Sequence, residues 1–348
     1  MIRPALSALL LAGLTAFSAP AASQSFAVTN ARVFDGARVV PRATVVVTDG
    51  RIQAAGPDVR PPAGTEVVDA GGATLLPGFI DAHTHTFDGS MLERALVFGV
   101  TTELDMFTLP DAARNLKKET PAGSPLRADL RSAGILATAP GGHGTQFGLT
   151  IPTLTKPEEA QAFVDARVAE GSDYIKIVSE DFSLYGRSGA GALDRPTIAA
   201  LIQAAHRKEK LAVVHVSLQS RAREALEDGA DGLVHLFADS APEPGFAKLA
   251  VDRKAFVIPT LTVLESSTGV PSGRPLTEDA RLKAYLRPEE VRALQSSWPR
   301  GEGKSVLQHA LDAVRQLKEA GVPILAGTDA PNPGTTHGAS IHRELELL

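Results

Sequence analysis

The run Pro77-Gly78-Phe79-Ile80-Asp81-Ala82-His83-Thr84-His85 ends in two histidines spaced i and i+2. In an extended strand alternate side chains leave the same face, so both imidazoles point toward one place, where their nitrogens suit a divalent metal ion. His-x-His is half of such a site, and the other ligand-type residues decide its worth. They are Lys176 in Tyr174-Ile175-Lys176-Ile177-Val178, then His215, His235, and Asp329 in Gly327-Thr328-Asp329. Taken singly, a strand-end histidine is hydrogen-bonded filler and an Asp after Gly-Thr caps a helix. Lys176 resists such a reading, because it shares a strand face with Tyr174 and Val178, where an unpaired ammonium costs several kcal/mol. Reaction of its nitrogen with carbon dioxide makes the side chain an anion and turns that cost into metal binding. Two divalent ions bring four positive charges; a carboxylated Lys176, Asp329 and a bridging hydroxide remove three, and the remaining charge attracts an electron-rich carbonyl.

These residues need a framework that brings distant strand ends together. Residues 26 to 72 carry short β-branched runs (Phe26 to Phe34, Ala43 to Thr48, Arg51 to Ala55) around an Asp49-Gly50 turn, the signature of a hairpin and a small β domain. From Leu75 the pattern becomes strands alternating with helices, as a parallel sheet with crossover helices requires. The strand candidates are Leu75 to His83, Val100 to Met106, Leu130 to Ala137, Tyr174 to Ser179, Ala212 to Val216, Gly232 to Phe237, Phe256 to Thr262 and Pro323 to Thr328. Helix signals lie at Pro157 to Ala169, at Asp194 to Lys208 with Asp194 as N-cap, and at Ser305 to Ala320, where Val306, Ala310, Ala313, Val314 and Leu317 form a 3.6-period stripe. Eight β/α units fit a TIM (β/α)8 barrel, whose reactive groups sit at the C-terminal strand ends. No Gly-x-Gly-x-x-Gly turn follows the first strand to favour a doubly wound sheet. The expected division is 1–23 signal peptide, 24–74 small β domain and 75–348 barrel.

With these pieces in place the chain resembles the amidohydrolase superfamily, in the branch similar to imidazolonepropionase-like and Xaa-Pro dipeptidase-like proteins. The resemblance rests on Pro77 to His85, Asp173 to Ile177, the His215 and His235 strand ends, Gly141-Gly142-His143-Gly144 and Ala326 to Ala330. It implies that His83, His85 and Asp329 hold one metal ion, that His215 and His235 hold the other, and that Lys176 bridges both as a carbamate. Nitrogen and carboxylate ligands suit zinc best. The chemistry expected there is hydrolysis of an amide C–N bond by a hydroxide held between the metals. Asp329 acts as general base and then acid, and His143 hydrogen-bonds the substrate or the developing oxyanion. Deaminases of the superfamily place a catalytic Glu three residues after the histidine of the fifth strand, where this chain has Leu218. That position and Lys176 favour a two-metal hydrolase.

The expected substrate is a small molecule, a dipeptide or N-acyl amino acid, with a lactone or a cyclic or xenobiotic amide as the alternative. A barrel that binds metal without catalysis is the remaining competitor, and it tends to lose ligands that this chain keeps. Tyr185 and Arg187 follow the fourth strand, where an arginine fits a substrate carboxylate bidentately. The connection from Glu265 to Gly303, with Arg274, Tyr285, Arg287, Trp298 and Arg300, has the length of a lid. His206 and His309 fall inside helices as structural residues, while His337 and His342 follow Asp329 closely enough to support the site.

Composition sets the outer bounds. The 348 residues are 43% hydrophobic and 22% charged, with a net charge of -5 that gives no support to nucleic-acid binding. There is no cysteine, so neither disulfides nor thiolate ligands are available. Arg3, the apolar run Ala5 to Phe17 and the small residues Ser18 to Ser23 read as a secretory signal, hence a secreted or periplasmic protein with no membrane association after cleavage. Homo-oligomerisation is left open. Ile341 to Leu348 lie in the expected eighth helix without a stop signal. Relatives continue beyond such a point with strands that complete a small sandwich with the N-terminal piece, so a truncated chain with exposed apolar surface on residues 26 to 72 is expected.

Overall fold

The structure, a computed structural model, describes residues 25–120, 123–185, 190–299 and 304–348. The expected signal segment and Arg187 lie outside the described residues. The chain divides into two compact units, one up to Pro77 and one from Gly78 onward.

The first unit is one sheet. Strands β1 (Phe26–Phe34), β2 (Val39–Thr48), β3 (Arg51–Gly56) and β4 (Glu66–Asp69) lie in the order β3-β2-β1-β4, and β5 (Thr74–Leu75) also pairs with β1. Asp49 and Gly50 join β2 to β3 with φ of 51° and 70°, both left-handed, which suits the right-handed twist of a hairpin. Ala31, Val33, Ala43 and Val45 pack as its core, and Ile52, Val67 and Val68 are exposed.

The second unit is α/β. Strands β6 (Phe79–Thr84), β7 (Val100–Asp105) and β8 (Asp129–Ser132) form one parallel sheet; β9 (Ile175–Ser179), β10 (Ala212–Val216), β11 (Gly232–Val234) and β12 (Phe256–Ile258) form another. Among the described residues the regular strands of this unit therefore form two parallel sheets rather than one closed sheet of eight. The segment expected as the eighth strand, Pro323 to Thr328, is irregular, and single parallel bridges make the remaining joins: Ala137 to Ile177, Val257 to Ile324, and Thr84 to Ala330.

Several strands are shorter than their apolar runs for local reasons. β6 starts at Phe79 because Thr74 and Leu75 pair with β1 and Pro77 has no N–H to give a ladder. β8 stops before Gly134, which has a φ of 65°, and β12 stops at Pro259 and a left-handed Thr260 (φ 50°).

β9 shows how the layers form. Ile175 and Ile177 pack among Leu201, Ile202 and Phe163 of the surrounding helices. Tyr174 belongs to an inner cluster with Ala82, Met106, Ala133, Val213, Val234 and Ile258. With a period of two, Lys176 must follow Tyr174 inward, and it is 2% exposed.

The helices match their signals closely. Asp194 caps Arg195–Arg207 by accepting from Thr197 N, and the stripe from Val306 to Leu317 is buried on Lys304–Glu319. The connection from Glu265 to Gly303 is not a bare lid. It contains the helices Arg274–Glu278 and Pro288–Leu294, and Arg94 clamps it with bonds of 2.6 and 2.8 Å to Glu290 and 2.6 Å to the Tyr285 carbonyl.

Candidate metal centre

The strand ends converge on a row of imidazoles. Ring centroids run from His85 to His83 (5.4 Å), His83 to His235 (4.7 Å), His235 to His215 (4.4 Å) and His215 to His143 (4.6 Å). Asp329 reaches the row from the irregular last segment, its Oδ1 lying 2.9 Å from His85 Nε2 and 3.3 Å from His83 Nε2. One ligand-type atom from each of His83, His85 and Asp329 fits within 4.8 Å. Gly327 permits this approach: a Cβ there would fall 2.5 Å from Ile258 and 2.9 Å from His83.

Burial sets the protonation of the row. Loss of hydration, reinforced by the neighbouring Lys176 and histidines, holds His83, His215 and His235 well below the usual imidazole range, so each offers a neutral ring with a lone pair. His143 is pushed down to about 3 by burial and then by Lys176. Burial also lowers Lys176 to about 8, with Asp329 and Asp105 opposing; a lysine that yields its proton there has the free amine that carbamate formation requires. Asp329 is pushed up by burial, but His85, His235 and Lys176 outweigh this and hold it below its ordinary value.

The donor set fits a metal ion. His85 Nδ1 lies 3.3 Å from the Phe107 carbonyl, which orients the ring so that Nε2 lies 2.9 Å from Asp329 Oδ1. His83 is buried with neither ring nitrogen hydrogen-bonded, and Asp329 Oδ1 is likewise without a hydrogen bond. A shared proton would satisfy one nitrogen–oxygen pair; a cation satisfies both. His235 is set in the same sense. The only Thr260 hydroxyl proton goes to the Pro259 carbonyl (2.8 Å), so Thr260 Oγ1 accepts from His235 Nδ1 (2.7 Å) and leaves Nε2 free.

Behind the row stands a carboxylate network the sequence did not reveal. Asp81 accepts from His83 N (3.2 Å), Thr328 N (3.0 Å) and Thr328 Oγ1 (2.6 Å), tying β6 to the segment that carries Asp329. Glu103 accepts from Thr86 Oγ1 (2.8 Å) and pairs with His337 Nδ1 at 2.8 Å; Asp105 accepts from Thr86 N and Ser132 Oγ. Burial raises Asp81 to about 8, with Glu103 adding to it, and Asp105 to about 6. His337 thus joins, through Glu103, the hydrogen bonds around Thr86, the residue after His85. His342 instead bonds the Phe98 carbonyl, His206 pairs with Asp231, and His309 with the Ala238 carbonyl.

Tyr185 lies one ring removed from the row, 6.5 Å from Phe182, which stands 5.3 Å from His143. Leu218 precedes the helix Gln219–Glu227. The carboxylate beside His215 comes from Glu180, which sequence reasoning passed over: its Oε2 is 3.5 Å from His215 Nε2.

A parallel α/β framework with histidines and a carboxylate gathered at its strand ends is the arrangement of metal-dependent hydrolases. The chain belongs to the Amidohydrolase family, whose profile matches residues 74–347. It is 34% identical over 137 residues to an imidazolonepropionase of Salinispora arenicola, a stretch covering 37% of this chain and 34% of that protein. It matches an adenine deaminase of Paracoccus denitrificans at 44% over 55 residues, 15% of this chain and 9% of the other. These alignments therefore span about a third or less of the curated relatives. Among solved structures, a Xaa-Pro dipeptidase with bound methionine in its active site superposes with a TM-score of 0.69 at 20% identity, over 93% of this chain and 83% of the other. A putative prolidase from Bifidobacterium longum superposes with a TM-score of 0.69 at 24% identity, over 94% and 78%. The likeness to the solved structures is one of fold.

Proposed function

We propose that the protein is a metal-dependent hydrolase of C–N bonds, acting on a dipeptide or N-acyl amino acid with two divalent ions, zinc by donor type. The reading rests above all on His83, His85 and Asp329 converging with their ligand-type atoms within 4.8 Å from opposite ends of the unit. His215 and His235 would hold the second ion, and Lys176, once carboxylated, would supply an anionic ligand to both. A (β/α)8 barrel is the fold behind this reading, and the three single bridges that link the two parallel sheets and the last segment support it.

When bound, the ions lower the pKa of water and polarise the scissile carbonyl. The remaining work falls to the chain. Asp329, held in a left-handed conformation (φ 56°) with Oδ1 at the histidines, takes the proton of the attacking water and returns it to the leaving amine. His143, neutral at working pH, hydrogen-bonds the substrate's carbonyl side. Asp81 positions both ends of the ligand set. The apolar amino-terminal run supports export of the protein, and among the described residues no helix is long and apolar enough to cross a membrane.

The test is metal analysis followed by turnover of a panel of dipeptides, N-acyl amino acids and lactones. Hydrolysis that needs bound metal supports the reading. A fully folded protein that takes up no metal and turns over no member of the panel contradicts it.

A further inference from the structure

Glu180, directly after β9, is the group at this site that the proposed mechanism does not use. Its side chain is 1% exposed. Oε1 accepts from Phe182 N at 2.5 Å, which fixes the carboxylate, while Oε2 is buried without a hydrogen-bond partner. That free oxygen looks toward the row of imidazoles: His215 Nε2 is 3.5 Å away, and the charge of Glu180 acts on His143. Among the described residues no lysine or arginine pairs with it, and Lys176 is balanced instead by Asp329 and Asp105. A buried carboxylate oxygen without a donor is costly unless a cation completes it.

We propose that Glu180 receives an ammonium group of the substrate, so that the preferred substrates are aminoacyl compounds with a free amine beside the scissile carbonyl, rather than N-acylated ones. This rests on the hydrolase reading and sharpens it. The scissile carbonyl must lie at the ligand-type side chains, and Glu180 adjoins one of them. An amine on the carbon next to the carbonyl is the substrate cation that lies nearest the scissile bond. Acylating that amine removes its charge and leaves Oε2 facing an uncharged amide.

The test compares a set of dipeptides with their N-acetyl counterparts on metal-loaded wild type, Glu180→Gln and Glu180→Asp, with metal content measured for each. Calorimetry with an amino acid hydroxamate and its N-acetyl form gives a second readout that needs no turnover. The wild type should prefer the free amine by about tenfold to a hundredfold, as one charge-assisted hydrogen bond allows. Glu180→Gln should bring that ratio close to one, chiefly through KM, and Glu180→Asp should retain part of it. Equal or reversed preference in the wild type overturns the proposal even if the variants fail to fold. So does a ratio that Glu180→Gln leaves intact, an equal loss for both substrate types, or loss of bound metal in Glu180→Gln, which would make Glu180 a ligand. Absence of all turnover from metal-loaded protein counts against the hydrolase reading; the hydroxamate pair then still decides on Glu180, with equal affinities contradicting it.

Discussion

The row of imidazoles at the strand ends is buried at its centre, His83, His235 and His215, but part-exposed at His85, and the carboxylate network behind it is buried throughout, yet the larger difference is in how their polar atoms are satisfied. Asp81, Glu103 and Asp105 each accept protein hydrogen bonds on their carboxylates, and of this network only His337 Nε2 lacks a partner. In the row, both nitrogens of His83, Nδ1 of His143 and of His215, and Oδ1 of Asp329 have none. Buried polar atoms are rarely left unpaired without cause. The contrast separates a scaffold, complete in itself, from a site that a ligand completes.

The contrast breaks most severely on the side of the row. Replacing His83 and His85 together by alanine should remove bound metal and lower kcat/KM by about a thousandfold or more, while the melting temperature of the metal-free protein changes little. Elemental analysis, activity and thermal unfolding on one preparation check all three. Asp81→Ala should act the other way round. It strands Thr328 N and the Thr328 hydroxyl in the interior, for a loss of about 2–4 kcal/mol in denaturant unfolding, and metal affinity falls through misplacement of Asp329.

Lys176 belongs to both regions and titrates between them. Its pKa in the folded chain, about 8 against an ordinary 10.5, means that the folded protein gives up this proton before the unfolded chain does. Stability of the metal-free, carbon-dioxide-free protein should therefore rise as pH climbs from about 8 to about 10.5, by about 3 kcal/mol at most. Lys176→Met should flatten that rise and be more stable than the wild type below pH 8, as pH-dependent urea unfolding would reveal. The smallest effect is expected of Thr260→Val. It removes the acceptor that fixes His235 and should cost about tenfold in metal affinity with the fold intact, measured by competition with a chelator.

The grouping of His83 and His85 with Asp329 was legible in part because the two histidines share a face of a period-two strand, and the burial of Lys176 because it stands two residues after Tyr174. The same apolar runs predicted seven of the parallel strands. The eighth was misread, because the sequence shows a good apolar run at Pro323 to Leu325 but not that Gly327 must press against His83, which leaves room for single bridges and no ladder. The carboxylate network was hidden for a different reason. Asp81, Glu103 and Asp105 look like ordinary polar residues of half-exposed strands, and only the packing of β6, β7 and the last segment together makes them interior. Glu180 was missed because it follows the strand rather than lying on its inward face.

The central claim is tested most directly by stripping the protein with a chelator and titrating zinc back while following hydrolysis of a dipeptide. The account predicts uptake of two equivalents per chain, with activity returning as they bind and no uptake at this site by the His83→Ala, His85→Ala double variant. Full activity in rigorously metal-free protein, or zinc uptake that the double variant leaves unaltered, would contradict it.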